Sequence, residues 1–197
     1  MIKYLSVNKM LEYELGSQSR EWEQGIFIFD ANAFKYRYSG APKRAVVTNG
    51  VMEELLRHRD QFGEHNIEGL TRLLNPSVVA PFVSSEDKRL IHRVSLKSPK
   101  NALRIRGTGL GWVDTQQLAY ALEQARGGEK TVLVSNDADI QNTLAELKKE
   151  IPETMKNVVG LSVSRYYLQN YSYLFRGLNR LARNLILYEV DKMYRAA

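Results

Sequence analysis

The sequence predicts an α/β protein of three layers, α/β/α, in which helices cover both faces of a central parallel sheet. Short apolar runs at residues 26–29, 45–48 and 131–135 have the composition of buried strands. Helical patterns separate these runs, and such an alternation gives parallel strands joined by right-handed crossovers. With 197 residues, the chain is long enough to bury a core of this kind.

The first two strands are each flanked by a helical pattern. Residues 1–25 carry apolar positions at roughly helical spacing, which predicts an N-terminal helical extension and a turn before the strand at 26–29. After the strand at 45–48, Asn49 is expected to cap a helix. The apolar positions of that helix are Val51, Met52, Leu55 and Leu56.

The middle of the chain is irregular, and we interpret about residues 71–111 as a basic insertion. Three prolines in this region rule out one long helix. The run at 88–106 holds seven basic residues and no acid: Lys88, Arg89, Arg93, Lys97, Lys100, Arg104 and Arg106. Such a run suits a phosphate backbone, so we expect a nucleic-acid-binding arm or lid over the substrate groove. A solvated loop is the alternative.

The pattern becomes regular again from Asp114. A helix closed by Gly127-Gly128, the strand at 131–135 and a helix from Ile140 follow, and residues 158–163 form a candidate last strand. We therefore place the main domain at 26–163 and a C-terminal helical extension at 164–197. The leucine stripe of this extension suits packing on the sheet or pairing of two copies into a homo-oligomer: Leu174, Leu178, Leu181 and Leu185.

Composition excludes several classes of site. The absence of cysteine removes disulfides, thiolate metal sites and a cysteine nucleophile, and the three histidines match no zinc-binding spacing. No apolar stretch is long enough to cross a bilayer, so no membrane association is expected and the cytoplasm is the default compartment. The net charge of +6 favours an anionic partner.

Four acids fall at the ends of predicted elements. Asp30 and Asp137 follow strands, and the carboxyl ends of parallel strands share one edge of the sheet. Glu54 and Asp114 are expected to reach the same edge from helices. Carboxylates gathered at one point stay ionised only beside a cation, which predicts a metal site.

Each acid also has a structural interpretation. Asp114 with Gln117 resembles a capping box, and Asp139 is as well suited to cap the helix starting at Ile140 as to be a further metal ligand. Glu54 could be a solvated helix residue like Glu53, although it lies on the flank of the apolar face.

The residues around these acids resemble the PIN-domain nucleases. The segments 29–34, 51–55, 114–119 and 134–139 are similar, in order, to the four acidic motifs of that family. The resemblance covers about residues 26–163. It implies a PIN-like fold and a nuclease dependent on Mg²⁺ or Mn²⁺. A departure is the long span from Glu54 to Asp114, which sets the chain apart from compact PIN toxins.

Our hypothesis for the mechanism gives each residue a role. Asp30 and Asp137 would bind the metal directly, Asp114 would bind a second metal or act through water, and Glu54 would be an outer ligand or activate the water. Asn32 and Ser135 would support these acids through hydrogen bonds. The expected activity is endoribonuclease hydrolysis of phosphodiester bonds, with DNA as the alternative substrate.

Three other functions stay open at this point. The chain could be a PIN-like subunit that binds RNA or assembles into a complex but has lost efficient catalysis, or the toxin of a pair with an antitoxin-like protein partner. A phosphatase of the haloacid dehalogenase type ranks lower, because it needs an aspartate where this chain has Asn32.

Overall fold

The computed structural model describes residues 5–36, 38–59, 64–97, 110–163, 165, 166, 185, 188, 189 and 192. In this part of the chain, five strands form one sheet: β1 (Ile26–Phe29), β2 (Ala45–Thr48), β3 (Ser77–Val79), β4 (Thr131–Val134) and β5 (Val158–Leu161). All neighbouring strands pair in parallel, in the order β3-β2-β1-β4-β5. The predicted three-layer α/β/α fold is confirmed.

Helices flank the sheet on both sides. The named helices are α1 (Val7–Leu15), α2 (Ser19–Trp22), α3 (Asn49–Arg57), α4 (Glu64–Leu74), α5 (Ser85–Ser95), α6 (Trp112–Arg126), α7 (Ala138–Glu150) and α8 (Pro152–Met155). Short 3₁₀ turns occupy Gly16–Gln18 and Ala31–Lys35. Among the described residues, no helix combines the length and apolar character that crossing a bilayer requires.

Two hydrophobic cores lie on the two faces of the sheet, because successive strand side chains point to opposite faces. Phe27 and Phe29 of β1 pack in one core with residues of α1 and α3. Ile26 and Ile28 pack in the other core with residues of α5, α6 and α7. Every residue of β1, β2 and β4 is buried, as expected of strands covered on both faces.

The strand order creates a crevice between β1 and β4. From β1 the chain proceeds to β2 and β3 on one side, and then returns to β4 and β5 on the other. The loops after β1 and β4 therefore leave the sheet in opposite directions. In open parallel sheets, ligands bind at this topological switch point, beyond the carboxyl ends of the strands.

The predicted start of α3 is wrong by one residue. Thr48, not Asn49, is the N-cap, since its hydroxyl accepts a hydrogen bond from Val51 N at 3.3 Å. Asn49 is instead the first residue of the helix. The apolar face is also narrower than expected, because Leu56 is 56% exposed while Val51 and Leu55 are buried.

Among the described residues of the region predicted as a basic insertion, about residues 71–111, one strand and one helix lie wholly inside it. Strand β3 belongs to the central sheet, and α5 packs against α6 and α7 while burying Ile91 and Val94. Lys88, Arg89 and Arg93 are therefore helical residues of the domain, and the prediction of an arm or lid is wrong for them. Lys100, Arg104 and Arg106 lie outside the described residues.

Most of the predicted C-terminal extension also lies outside the described residues. At its start, Arg165 pairs with Glu14 of α1 at 3.0 Å, and the ring of Tyr166 contacts Tyr13 edge-on. Farther along, Leu185 and Tyr188 are exposed. Pairing of two copies through the leucine stripe stays a prediction.

Candidate functional site

Asp30 lies at the centre of the crevice, directly after β1. Its backbone N–H donates to Val134 O at 3.0 Å, which fixes it against the end of β4. The side chain is 4% exposed and accepts four hydrogen bonds. The donors are Ala31 N at 2.8 Å, Ser135 Oγ at 2.8 Å, Gln117 Nε2 at 3.0 Å and Asn32 Nδ2 at 3.4 Å. A buried carboxylate needs such donors, and Asn32 and Ser135 contact it as predicted.

Burial nevertheless dominates the electrostatics of Asp30. Loss of hydration raises the pKa of this carboxyl, and the negative charge of Asp137 raises it further. The hydrogen bonds from Gln117, Ser135 and Ala31 act in the opposite direction. Asp30 is thus a desolvated carboxylate that a nearby positive charge would stabilise.

The loop after β4 brings Asp137 to the same crevice. Ser135 Oγ accepts a hydrogen bond from Asp137 N at 3.0 Å while its hydroxyl donates to Asp30. Asp137 is the N-cap of α7, because its Oδ1 accepts from Asp139 N at 2.6 Å. The interpretation of Asp139 as the cap is therefore wrong. Asp139 instead lies in the first turn of α7, where it is 9% exposed.

Asp114 approaches the crevice from α6. This helix begins at Trp112 after the N-cap Gly111, so Asp114 is its third residue and the predicted capping box is not formed. Burial, followed by the charges of neighbouring acids, raises the pKa of Asp114 to about 7. The acids that act on it are Asp30, Asp137, Glu54 and Asp139. Four other carboxyl groups therefore lie within electrostatic reach of Asp114.

Glu54 reaches the cluster from α3. It is half-buried while its neighbour Glu53 is exposed, as the flank position of Glu54 predicted. Burial and the charge of Asp30 raise the pKa of Glu54, whereas His58, Lys35 and Arg57 lower it. These opposing effects place Glu54 between the carboxylates and a group of basic side chains.

Gly50 lies where α3 approaches α6. A Cβ at this position would collide with Gln116 Oε1 and would lie 3.2 Å from Val113 Cγ2. Gln116 Nε2 in turn donates to Asn49 Oδ1 at 3.2 Å. The absence of a side chain at Gly50 therefore leaves room for the Gln116 amide between α3, which carries Glu54, and the helix of Asp114.

The carboxylates lie near one another but do not form a preformed metal site. Among the described residues, no three His, Asp or Glu side chains are grouped tightly enough to hold a metal ion as they stand. Gln117 adds a further oxygen: its side chain is fully buried, and Oε1 has no hydrogen-bond partner among the described residues.

Gln117 and Lys35 are the site residues whose roles sequence reasoning missed. From the sequence, Gln117 was recognised only as the capping-box partner of Asp114, because no nearby sequence pattern indicates a hydrogen bond to Asp30. Lys35 Nζ donates to Asn32 Oδ1 at 3.1 Å, and Asn32 in turn contacts Asp30. The spacing of three residues between Asn32 and Lys35 was a signal, because 3₁₀ turns align side chains at that interval.

Two of the predicted nucleic-acid-binding residues lie far from the carboxylates. Arg93 donates to Glu150 Oε1 at 2.8 Å, and Lys97 pairs with the same carboxylate. Glu150 ends α7, whereas Asp137 caps its first turn, so about 20 Å of helix separates them. Lys88 is placed differently, with its Nζ 5.8 Å from the ring centre of Trp112 at the start of α6.

No protein-family model matches the chain, and no curated protein or solved structure matches it.

Proposed function

We propose that the protein is a divalent-metal-dependent nuclease of the PIN-like type, with cytoplasmic RNA as its substrate. The observation that carries this proposal is the meeting of acids at the switch point: the Ser135 hydroxyl donates to Asp30 and accepts from Asp137 N, and burial together with four acids raises the pKa of Asp114 to about 7. Such crowding weakens a fold unless a bound cation offsets it. Carboxylates crowded beside the crevice therefore favour a catalytic or binding role over a structural one.

The available ligands suit Mg²⁺ or Mn²⁺. Asp30, Asp137, Asp114 and Glu54 offer only carboxylate oxygens, which hard cations prefer, and Gln117 Oε1 adds an amide oxygen. We assign direct binding to Asp30 and Asp137, because both follow strands at the crevice. A divalent ion held there would supply an activated water and stabilise the leaving oxygen of a phosphodiester.

The protein's own side chains would act around that ion. Asn32, Ser135 and Gln117 hold the Asp30 carboxylate in place through hydrogen bonds. Asp114 would bind the ion directly or through water, because a nearby cation favours the ionised form of a carboxylate whose pKa burial and neighbouring acids raise. Lys35, bonded to Asn32, provides a positive charge at the side of the cluster for a substrate phosphate.

A metal titration with a cleavage assay tests the proposal. Mn²⁺ should raise the melting temperature of the wild-type protein, since a ligand at about 100 times its Kd stabilises the folded state by about 2.7 kcal/mol. Structured and unstructured RNA and DNA should be incubated with Mg²⁺ or Mn²⁺ and with a chelator. We expect cleavage of RNA that the chelator abolishes.

Asp30→Asn is the matched variant for this test. The amide keeps the size of the carboxylate, and the Ser135 hydroxyl can turn to accept a hydrogen bond from it, so the fold should persist. The variant should lose both the Mn²⁺-induced stabilisation and the cleavage. Cleavage retained in Asp30→Asn and in Asp137→Asn would reject the assignment, and RNA binding without metal-dependent cleavage would favour a catalytically inactive subunit.

A further inference from the structure

Trp112 is an exposed aromatic residue two positions before Asp114. It is the first residue of α6 and is 55% exposed, whereas Trp22, the only other tryptophan of the chain, is 5% exposed. A single exposed aromatic side chain is common on protein surfaces and does not by itself mark a site. The neighbours of Trp112 decide its significance.

A cation lies over the Trp112 ring, and a carboxylate lies beside the preceding residue, Gly111. Lys88 Nζ lies 5.8 Å from the centre of the Trp112 ring, within the range of a cation–π contact. Asp114 belongs to the same first turn of α6, and its Oδ2 lies 3.6 Å from the position that a Cβ on Gly111 would take. The Asp114 carboxylate therefore lies near the backbone that immediately precedes Trp112.

We propose that Trp112 and Lys88 form a platform for an unpaired nucleobase, so that the site acts on single-stranded RNA. This inference rests on the proposed nuclease function, because it assumes that the chain passing the carboxylates is a polynucleotide. An aromatic face stacks on any unpaired base, and the lysine ammonium attracts the neighbouring phosphate. A base in a duplex is stacked between its neighbours and reaches such a face only by leaving the helix.

The two tryptophans allow a direct binding test. In the full-length chain, Trp22→Phe leaves Trp112 as the only indole, and adding Asp30→Asn prevents cleavage. The protein is titrated in Mg²⁺ with a short oligouridine or with an RNA duplex of the same length, and indole emission is recorded. Stacking on Trp112 should quench the emission with the single strand and leave it nearly unchanged with the duplex.

Substitutions at the platform distinguish base stacking from nonspecific binding of RNA. Trp112→Leu keeps apolar bulk but removes the flat ring, so affinity for the single strand should fall between about fivefold and about a hundredfold. Trp112→Phe should restore most of it. Lys88→Gln should weaken binding and its salt dependence, whereas Lys43→Gln, at an exposed lysine of the loop before β2, should not. Trp112 is exposed, so these variants should melt like the parent protein.

The outcomes separate this inference from the proposed function. Metal-dependent cleavage by the wild type without quenching of Trp112 would overturn the platform and leave the nuclease proposal standing. Equal affinity of Trp112→Leu and the parent protein would also overturn it. Quenching by single strands without any cleavage would support the platform as a binding site while the nuclease proposal failed.

Discussion

Gln117 Nε2 donates a 3.0 Å hydrogen bond to Asp30 Oδ1, which joins α6 to the end of β1 across 87 positions of the chain. Residues three apart on a helix lie on neighbouring parts of its surface. The bond that holds Gln117 on Asp30 therefore also turns Asp114, three residues earlier, toward the same carboxylate. The register of α6 in this way brings an acid to the crevice.

Gln117→Met tests this bond, because methionine has a similar length and no donor. Without the amide, one hydrogen bond that lowers the pKa of Asp30 is lost, so that pKa should rise further. Metal binding requires the ionised carboxylate, so Mn²⁺ affinity should fall most at acidic pH. The free energy of unfolding should drop by about 1 kcal/mol.

Gln124→Met, on the same helix, is the matched control and should leave the pH dependence of Mn²⁺ binding unchanged. Melting curves over a series of pH values and Mn²⁺ concentrations measure both effects. If Gln117→Met binds Mn²⁺ like the wild type throughout the series, Gln117 does not tune Asp30.

Asp114→Asn should stabilise the metal-free protein above neutral pH. The folded state raises the pKa of Asp114 from 3.8 to about 7, so between these values it binds more protons than the unfolded state. The contribution of this group to stability is complete below pH 3.8 and is lost as pH rises through 7. This loss amounts to at most about 4 kcal/mol.

Denaturant unfolding of metal-free protein across this pH range measures the effect. At about pH 8, Asp114→Asn should be more stable than the wild type by about 1 to 3 kcal/mol, since asparagine carries no charge to repel the other acids. Glu123→Gln, at an exposed position of the same helix, should change little. Identical pH profiles for wild type and Asp114→Asn would mean that the acids do not crowd Asp114.

The sequence was sufficient to predict the layers and the edge that carries the acids. Strands β1, β2 and β4 are uninterrupted apolar or β-branched runs, so their burial and parallel pairing follow from composition and from the helices between them. The same pattern placed Asp30 and Asp137 after strands. Contacts between distant residues, such as Gln117 with Asp30, leave no local pattern and could not be predicted.

The predictions of the helix starts and of the basic region were wrong for identifiable reasons. Thr48 and Asn49 are both good caps, as are Asp137 and Asp139, and a single sequence does not decide between close candidates. In α5 the many charged residues interrupt the apolar pattern, so the burial of Ile91 and Val94 was not predicted. A usable signal was Ser84, whose hydroxyl accepts a hydrogen bond from Asp87 N at 3.0 Å, as an N-cap does.

Asp137 combines capping with its proposed metal role, and two substitutions separate them. Asparagine caps helices as well as aspartate does, so Asp137→Asn should keep α7 intact and change stability by less than about 0.5 kcal/mol. Asp137→Ala loses the bond from Asp139 N and should cost about 1 kcal/mol. Both should lose stabilisation by Mn²⁺, and full Mn²⁺ binding by Asp137→Asn would exclude this carboxylate as a ligand.

Gly50→Ala should disturb the site without altering any acid. The new methyl group would strike Gln116 Oε1 and crowd Val113, so the Gln116 amide, on α6, or α3 itself must shift. Because Glu54 and Asp114 lie on these two helices, we expect weaker Mn²⁺ binding and a loss of about 1 to 3 kcal/mol in the free energy of unfolding. Thermal melts with and without Mn²⁺ measure both.

A double-mutant cycle with Gln116→Ala identifies the cause. Shortening Gln116 removes the main obstacle to the Gly50→Ala methyl group, so the double variant should recover part of the lost stability and Mn²⁺ binding, with a coupling energy above about 0.5 kcal/mol. If the losses in stability and Mn²⁺ binding are additive, the collision with Gln116 is not the reason that glycine is needed at position 50. In that case the approach of Glu54 to Asp114 would have to depend on other contacts between α3 and α6.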